Sequence, residues 1–325
     1  MEPETDLFPR DTGLLVGKVL QGETRTLARV LSMVENGDPL SESIMHDIYD
    51  PARRSLTVGV TGPPGAGKST LTCRLIGYWR GSGRKVGVIA VDPSSPFSGG
   101  ALLGDRVRMQ EHASDPGVFI RSMGSRGHLG GLAGSTRDAL ELLAAAGYDP
   151  VIVETVGVGQ AEVEVASLAD ITLLVLVPGM GDEVQTMKAG IMEIGDIIVL
   201  NKADRQGIDQ LESSVMASLE LLPEGSHRPP VVRCSSLTGD GIEELTGEMD
   251  GLLSGILDRD SLVRRRTTLI LESILREKGR HMAARVVEAR FGSIERAVDL
   301  ILDGKTTPYG IGVLLSEEHA SKAGD

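Results

Sequence analysis

The feature that most constrains this 325-residue chain is the string Gly62-Pro63-Pro64-Gly65-Ala66-Gly67-Lys68-Ser69. Its spacing is G-x-x-x-x-G-K-[ST], set between an apolar run at 56–60 and a segment of helical character. The chemistry behind that pattern is phosphate binding. Gly65 and Gly67 let the backbone curl so that successive N–H groups converge on phosphate oxygens. The start of the following helix adds partial positive charge. Lys68 is placed to reach the β- and γ-phosphates, facing solvent until a ligand arrives, and Ser69 to offer its hydroxyl to Mg²⁺. With Thr70 behind them, these residues form the predicted nucleotide loop.

The rest of the chain repeats the strand–helix unit. Short β-branched runs at 86–91, 118–120, 151–153, 171–177, 197–200 and 231–232 alternate with helix-length segments. Most are apolar throughout rather than alternating, as strands buried on both faces are. The expected fold class is therefore α/β, a mainly parallel sheet flanked by helices, with ligands at the carboxyl ends of the strands. Aromatics are only 3% of residues, so the core has to rest on Val, Ile, Leu and Ala. Leu27, Val30, Leu31 and Val34 form an apolar stripe at helical spacing, closed by Asn36-Gly37-Asp38-Pro39, and a second helix is expected over 42–49. Beyond about residue 258 the strands stop. Leu271, Ile274 and Leu275 make one helical stripe, and Ile294, Val298, Ile301 and Leu302 another. Three segments are predicted: a helical N-terminal extension (1–54), the nucleotide domain (55–258) and a helical C-terminal arm (259–325).

Composition narrows the partners. The net charge is −13, which argues against a duplex nucleic-acid binder. Two isolated cysteines, Cys73 and Cys234, argue against a disulfide framework and read as small core residues. No apolar run is long enough to span a membrane, and the acidic start lacks a signal-peptide core, so a cytoplasmic protein is expected. The six histidines are scattered without ligand spacing. The glycine-rich stretch 124–131 reads as a loop, and Arg108 as either a surface ion pair or an arginine supplied to the γ-phosphate.

Base choice is written in a second motif. Asn201-Lys202-Ala203-Asp204 follows the run at 197–200 and reads N-K-x-D. In that pattern the Asp carboxylate accepts from both N1–H and the 2-amino group of guanine, a donor pair adenine lacks. Asn201 ties the loop to the phosphate loop, and the Lys202 stem covers the base. Ser235-Ser236-Leu237 follows the run at 231–232, where a backbone amide is expected against guanine O6. Glu154-Thr155-Val156-Gly157 stands where such proteins carry D-x-x-G. The acid holds Mg²⁺, and the glycine amide meets the γ-phosphate.

Longer strings go beyond a generic G protein. Residues 91–106 read VDPSSPFSGGALLGDR, residues 154–160 ETVGVGQ and residues 178–191 PGMGDEVQTMKAGI. Together they resemble the MeaB/ArgK family, the G proteins associated with methylmalonyl-CoA mutase. The resemblance covers about residues 24–258. It implies a P-loop GTPase of the signal-recognition/nitrogenase-like class, Mg²⁺-dependent and generally homodimeric through the C-terminal arm. It implies a client as well: an adenosylcobalamin-dependent acyl-CoA mutase whose cofactor loading is gated and whose inactivated cofactor is exchanged. A cobalamin adenosyltransferase is a further implied partner, and the G protein itself needs no bound cobalamin. By the same resemblance Asp92 and Asp105 lie in switch I, near Mg²⁺ or the attacking water. Residues 154–160 form switch II, with Gly157 in a catalytic role. Gln160, Asp182, Glu183, Gln185 and Lys188 belong to the switches that couple nucleotide state to the mutase. In Ras-like proteins a Gln follows the switch II glycine and orients water; here Val158 does, so slow intrinsic hydrolysis completed by the partner is expected. Two other readings fit the residues less well. A nickel or zinc metallochaperone GTPase needs clustered Cys and His, and a kinase sits poorly with a guanine reader.

Overall fold

The computed structural model describes residues 12–50, 52–53, 55–92, 110–112, 114–124, 131–155, 167–179, 194–222, 228–256, 259–303, 305–307 and 311. Three helices open the described chain: α1 (Thr12–Leu20), α2 (Thr24–Glu35) and α3 (Pro39–Ile48). Asp38 separates the last two. Its carboxylate accepts from the Leu40 N–H at 2.9 Å, and Pro39 takes the first helical position, where a missing N–H costs nothing. The sequence predicts the second and third helices but not α1, which buries only Leu15 and Val19, too few for a periodic signal.

Strand and helix then alternate: β1 (Thr57–Thr61), α4 (Lys68–Gly81), β2 (Val86–Asp92), β3 (Val118–Gly124), α5 (Gly131–Ala145), β4 (Val151–Thr155), β5 (Ile171–Leu176), β6 (Ile197–Leu200), α6 (Ile208–Glu220), β7 (Val231–Arg233) and α7 (Ile242–Ile256). The seven strands form one sheet in the order β3-β2-β4-β1-β5-β6-β7. Every pairing is parallel, so the sheet is wholly rather than mainly parallel among the described strands. β1, β4, β5 and β6 are buried along their whole length, as their unbroken apolar runs require. β3 runs four residues past the predicted end at 120 because it is an edge strand, where polar residues persist. Its Arg121 donates to the Glu35 carboxylate and, at 3.0 Å, to the Ser32 hydroxyl, pinning α2 to the sheet edge.

Helices cover both faces. On one, Leu71, Leu75, Ile76 and Trp79 of α4 pack with Leu211 and Val215 of α6 and Leu245 and Met249 of α7 against β1, β5 and β6. On the other, Leu15, Val19, Leu27, Leu31 and Ile44 of α1–α3 share a core with Leu140 and Leu143 of α5 and with Ile89, Phe119 and Val153 of the sheet. The N-terminal helices thus complete the second layer. Each fully buried Leu or Ile there contributes roughly 1.5–3 kcal/mol.

The chain divides into two compact units, residues 1–266 and 267–325. A 33-residue helix, α8 (Arg259–Phe291), is followed by α9 (Ile294–Leu302), whose start is capped by the Ser293 hydroxyl accepting from the Arg296 N–H. Leu275, Ile294, Val298 and Leu302 are exposed apolar residues of the second unit.

Candidate nucleotide site

Strand order assembles the site. β1 lies between β4 and β5, so the loop leaving it at Thr61 has the carboxyl ends of both beside it. Gly62 has φ +136°, and a Cβ there would lie 2.2 Å from the Val175 carbonyl oxygen of β5. Only glycine lets the loop pass that close. Gly67, with φ +88°, precedes α4, and a Cβ on it would meet Asn201 Nδ2 at 2.5 Å. The two motif glycines thus answer to two neighbouring strands, one to β5 and one to the loop after β6.

Lys68 is the first residue of α4 and only 6% exposed. Its ammonium donates to the Gly62 carbonyl at 2.7 Å and the Pro63 carbonyl at 2.9 Å. The expectation that it faces solvent is therefore corrected. A buried ammonium is costly unless hydrogen-bonded, and the loop's own carbonyls meet that need. Ser69, also buried, donates from its hydroxyl to Glu154 Oε1 at 2.5 Å. Glu154 reaches it because β4 pairs directly with β1. Pro63 and Ala66 are buried within the loop, while Pro64, Gly65 and Thr70 are exposed.

The loops after β6 and β7 close the other side. Asn201 is 1% exposed and satisfied on both ends of its amide. Nδ2 donates to the Ala66 carbonyl at 2.8 Å, while Oδ1 accepts from the Ser236 N–H at 3.1 Å and the Ser236 hydroxyl at 2.7 Å. One side chain therefore joins three segments that are far apart in sequence. Lys202 has φ +59°, a conformation found at no other non-glycine among the described residues. That turn folds its stem back so that Nζ donates to the Gly65 carbonyl at 2.8 Å. Asp204 is exposed, and its Oδ1 accepts from the Ser235 hydroxyl at 2.6 Å. That bond holds its carboxyl below the usual carboxylate range, keeping it an acceptor at neutral pH. Ser235 and Ser236 are buried, while Leu237 is 72% exposed.

Asp92 ends β2 opposite Gly124, with its side chain outside the described set. Asp105, Gly157, Gln160, Asp182, Glu183, Gln185 and Lys188, with Arg108 and Val158, lie outside the described residues. Cys73 is half-buried and Cys234 buried; desolvation pushes their thiols up to about 11 and about 12, so both stay protonated. Among the described residues no group of three or more His, Cys, Asp or Glu is arranged to hold a metal ion. No motif announces one further contact: Arg74 of α4 donates to the Ser236 and Leu237 carbonyls.

The profile of the methylmalonyl-CoA mutase-associated GTPase MeaB matches residues 27–283, a span that takes in all seven strands and the loops just described. The chain belongs to the MeaB family. It is also 44% identical over 308 residues to a Pyrococcus horikoshii protein named as a candidate GTPase, covering 94% of this chain and 97% of that one. Escherichia coli GTPase ArgK is 41% identical over 243 residues, covering 71% and 72%. The mouse methylmalonic aciduria type A homolog, a mitochondrial protein, is 39% identical over 241 residues, covering 70% of this chain and 58% of that one. The crystal structure of a LAO/AO transport system kinase superposes with a TM-score of 0.67 at 28% identity, covering 97% of this chain and 99% of that one. The fold is thus that of a P-loop GTPase, and like its family the chain hydrolyses GTP. Among the described residues no helix is long and apolar enough to cross a membrane.

Proposed function

We propose that this GTPase is the chaperone of an adenosylcobalamin-dependent acyl-CoA mutase, with methylmalonyl-CoA mutase as the first client to try. Family membership supports the client. The Asn201 clamp supports the switch, because it fastens the phosphate loop to the loop that would meet guanine. In this reading the amides of residues 62–70 cradle the phosphates, and the Lys68 ammonium exchanges the Gly62 and Pro63 carbonyls for phosphate oxygens. Asp204 takes the N1–H and 2-amino donors of guanine, while the loop at Ser235, Ser236 and Leu237 faces O6. Water attacks the γ-phosphorus, the bond to the bridging oxygen breaks, and GDP leaves with that oxygen.

The residues present suit Mg²⁺. A hydroxyl and a carboxylate, Ser69 and Glu154, lie side by side beneath the loop, and Mg²⁺ takes hard oxygen ligands with one or two carboxylates, retaining several waters. They would hold it together with Asp92 or Asp105 of switch I. When bound, the ion supplies neutralisation of charge on the phosphate oxygens. Gly157 is proposed to meet the γ-phosphate, and Gln160, Asp182, Glu183, Gln185 and Lys188 to report nucleotide state to the client. A homodimer through the C-terminal arm, a cytoplasmic location and a cobalamin adenosyltransferase as second partner complete the reading.

The test is binding of a purified mutase with and without a non-hydrolysable GTP analogue. The two affinities are expected to differ by about 5- to 150-fold, and the mutase to change analogue affinity by the same factor. Identical mutase affinity in both nucleotide states, or no binding at all, would remove the chaperone reading.

A further inference from the structure

Arg74 lies on the exposed side of α4, six residues beyond Lys68, and belongs to neither nucleotide motif. Its Nε donates to the Ser236 carbonyl at 2.8 Å, and its Nη2 donates to the next carbonyl, that of Leu237. A guanidinium presents donors in a fixed planar fork, so two successive carbonyls held by one Arg fix the orientation of the peptide between them. That peptide carries the Leu237 N–H. On its other side the turn is fastened by Ser236 to Asn201 and by Ser235 to Asp204, and it closes on itself through Gly239 N–H to the Ser235 carbonyl at 2.8 Å. Leu237 itself is largely exposed and contributes little packing. Arg74 ties the Ser236 and Leu237 carbonyls to α4, while the Asn201 and Asp204 bonds hold the turn to the loop after β6.

We infer that Arg74 is a positioning residue for base recognition, tying the helix that starts at the phosphate loop to the loop that reads guanine O6. The inference rests on the guanine-loop reading above. It gives this chain a direct strut from α4 to the base loop, in addition to the Asn201 clamp beneath. Because the strut acts on the edge that reads O6, its loss weakens every 6-oxopurine nucleotide alike and leaves adenine nucleotides where they were.

The experiment measures Kd for GDP, IDP and ADP, together with GTP hydrolysis, on the full chain as wild type, Arg74→Ala and Arg74→Lys. IDP keeps O6 but lacks the 2-amino group that Asp204 would accept from. Arg74→Ala is expected to weaken GDP and IDP by the same factor, about tenfold, with ADP unchanged. The loss in hydrolysis falls on KM rather than kcat. Arg74→Lys falls between, since one ammonium cannot span both carbonyls. GDP affinity within twofold of wild type in Arg74→Ala overturns the inference. So does an equal loss for ADP, or a fall in kcat accompanied by a lower melting temperature, because those mark a general structural role. A wild-type protein that holds ADP as tightly as GDP would remove the guanine-loop reading itself, and this inference with it.

Discussion

Lys68 holds its ammonium against the carbonyls of Gly62 and Pro63, inside the loop whose phosphates it is proposed to bind. The motif makes the residue type legible, because transferred phosphoryl charge calls for a fixed cation at that spacing. Its burial is not legible, since the carbonyls that accept from it are backbone atoms any sequence would supply. Lys68→Ala is expected to lower GTP turnover by at least about a hundredfold, as loss of a preorganised charge donor does. The same change removes a buried charge along with its bonds, so the melting temperature of the ligand-free protein should move by only a few degrees. Paired turnover and thermal measurements check this, and near-normal turnover would contradict the site. Asp204 gives a second test. Its carboxylate is held ionised by Ser235, so Asp204→Asn replaces a double acceptor with one acceptor and one donor. Preference should move from GTP toward XTP, whose 2-oxo group accepts where guanine donates. Unchanged selectivity in a competition assay would mean that another group reads the base. Arg74 shows the limit of motif reading: its partners are carbonyls 162 and 163 residues away, and only the folded chain reveals them.

At the scale of elements, the interior strands are legible and the edges less so. β5 and β6 appear in the sequence as unbroken apolar runs because helices bury both faces. β3 hides its last four residues behind Arg121, a charged residue that the sheet edge tolerates because Glu35 of α2 meets it. α1 is obscured for a different reason: a nine-residue helix with two buried positions carries almost no periodicity. The N-terminal helices also look like an appendage in sequence, whereas Leu31 of α2 is fully buried in a core shared with Phe119 and Leu143. Leu31→Ala should therefore destabilise the nucleotide unit by about 2–5 kcal/mol, the usual range for emptying a buried leucine site. Thermal unfolding followed with and without GDP is the check. The transition that GDP shifts upward is the one this substitution should shift downward. A GDP-sensitive transition left where it was would mean that α1–α3 fold apart from the sheet.

For the whole molecule, a GTPase site is joined in one chain to a second compact unit that exposes Leu275, Ile294, Val298 and Leu302. The family match extends through residue 283 and so enters that second unit. Sequence strings around residues 91–106, 154–160 and 178–191 carry the resemblance to mutase-associated G proteins and are the proposed switch segments. The absence of a Gln directly after Gly157 suggests a site finished by its client, so the basal rate should be slow. The most direct measurement is steady-state GTP hydrolysis by the full chain with and without an adenosylcobalamin-dependent acyl-CoA mutase, at saturating GTP and Mg²⁺. The account predicts a low basal rate raised at least about tenfold by the mutase, with the stimulation sharply reduced in Gln185→Ala and Lys188→Ala while their basal rates stay within a few-fold of wild type. A hydrolysis rate that no such mutase changes would contradict it.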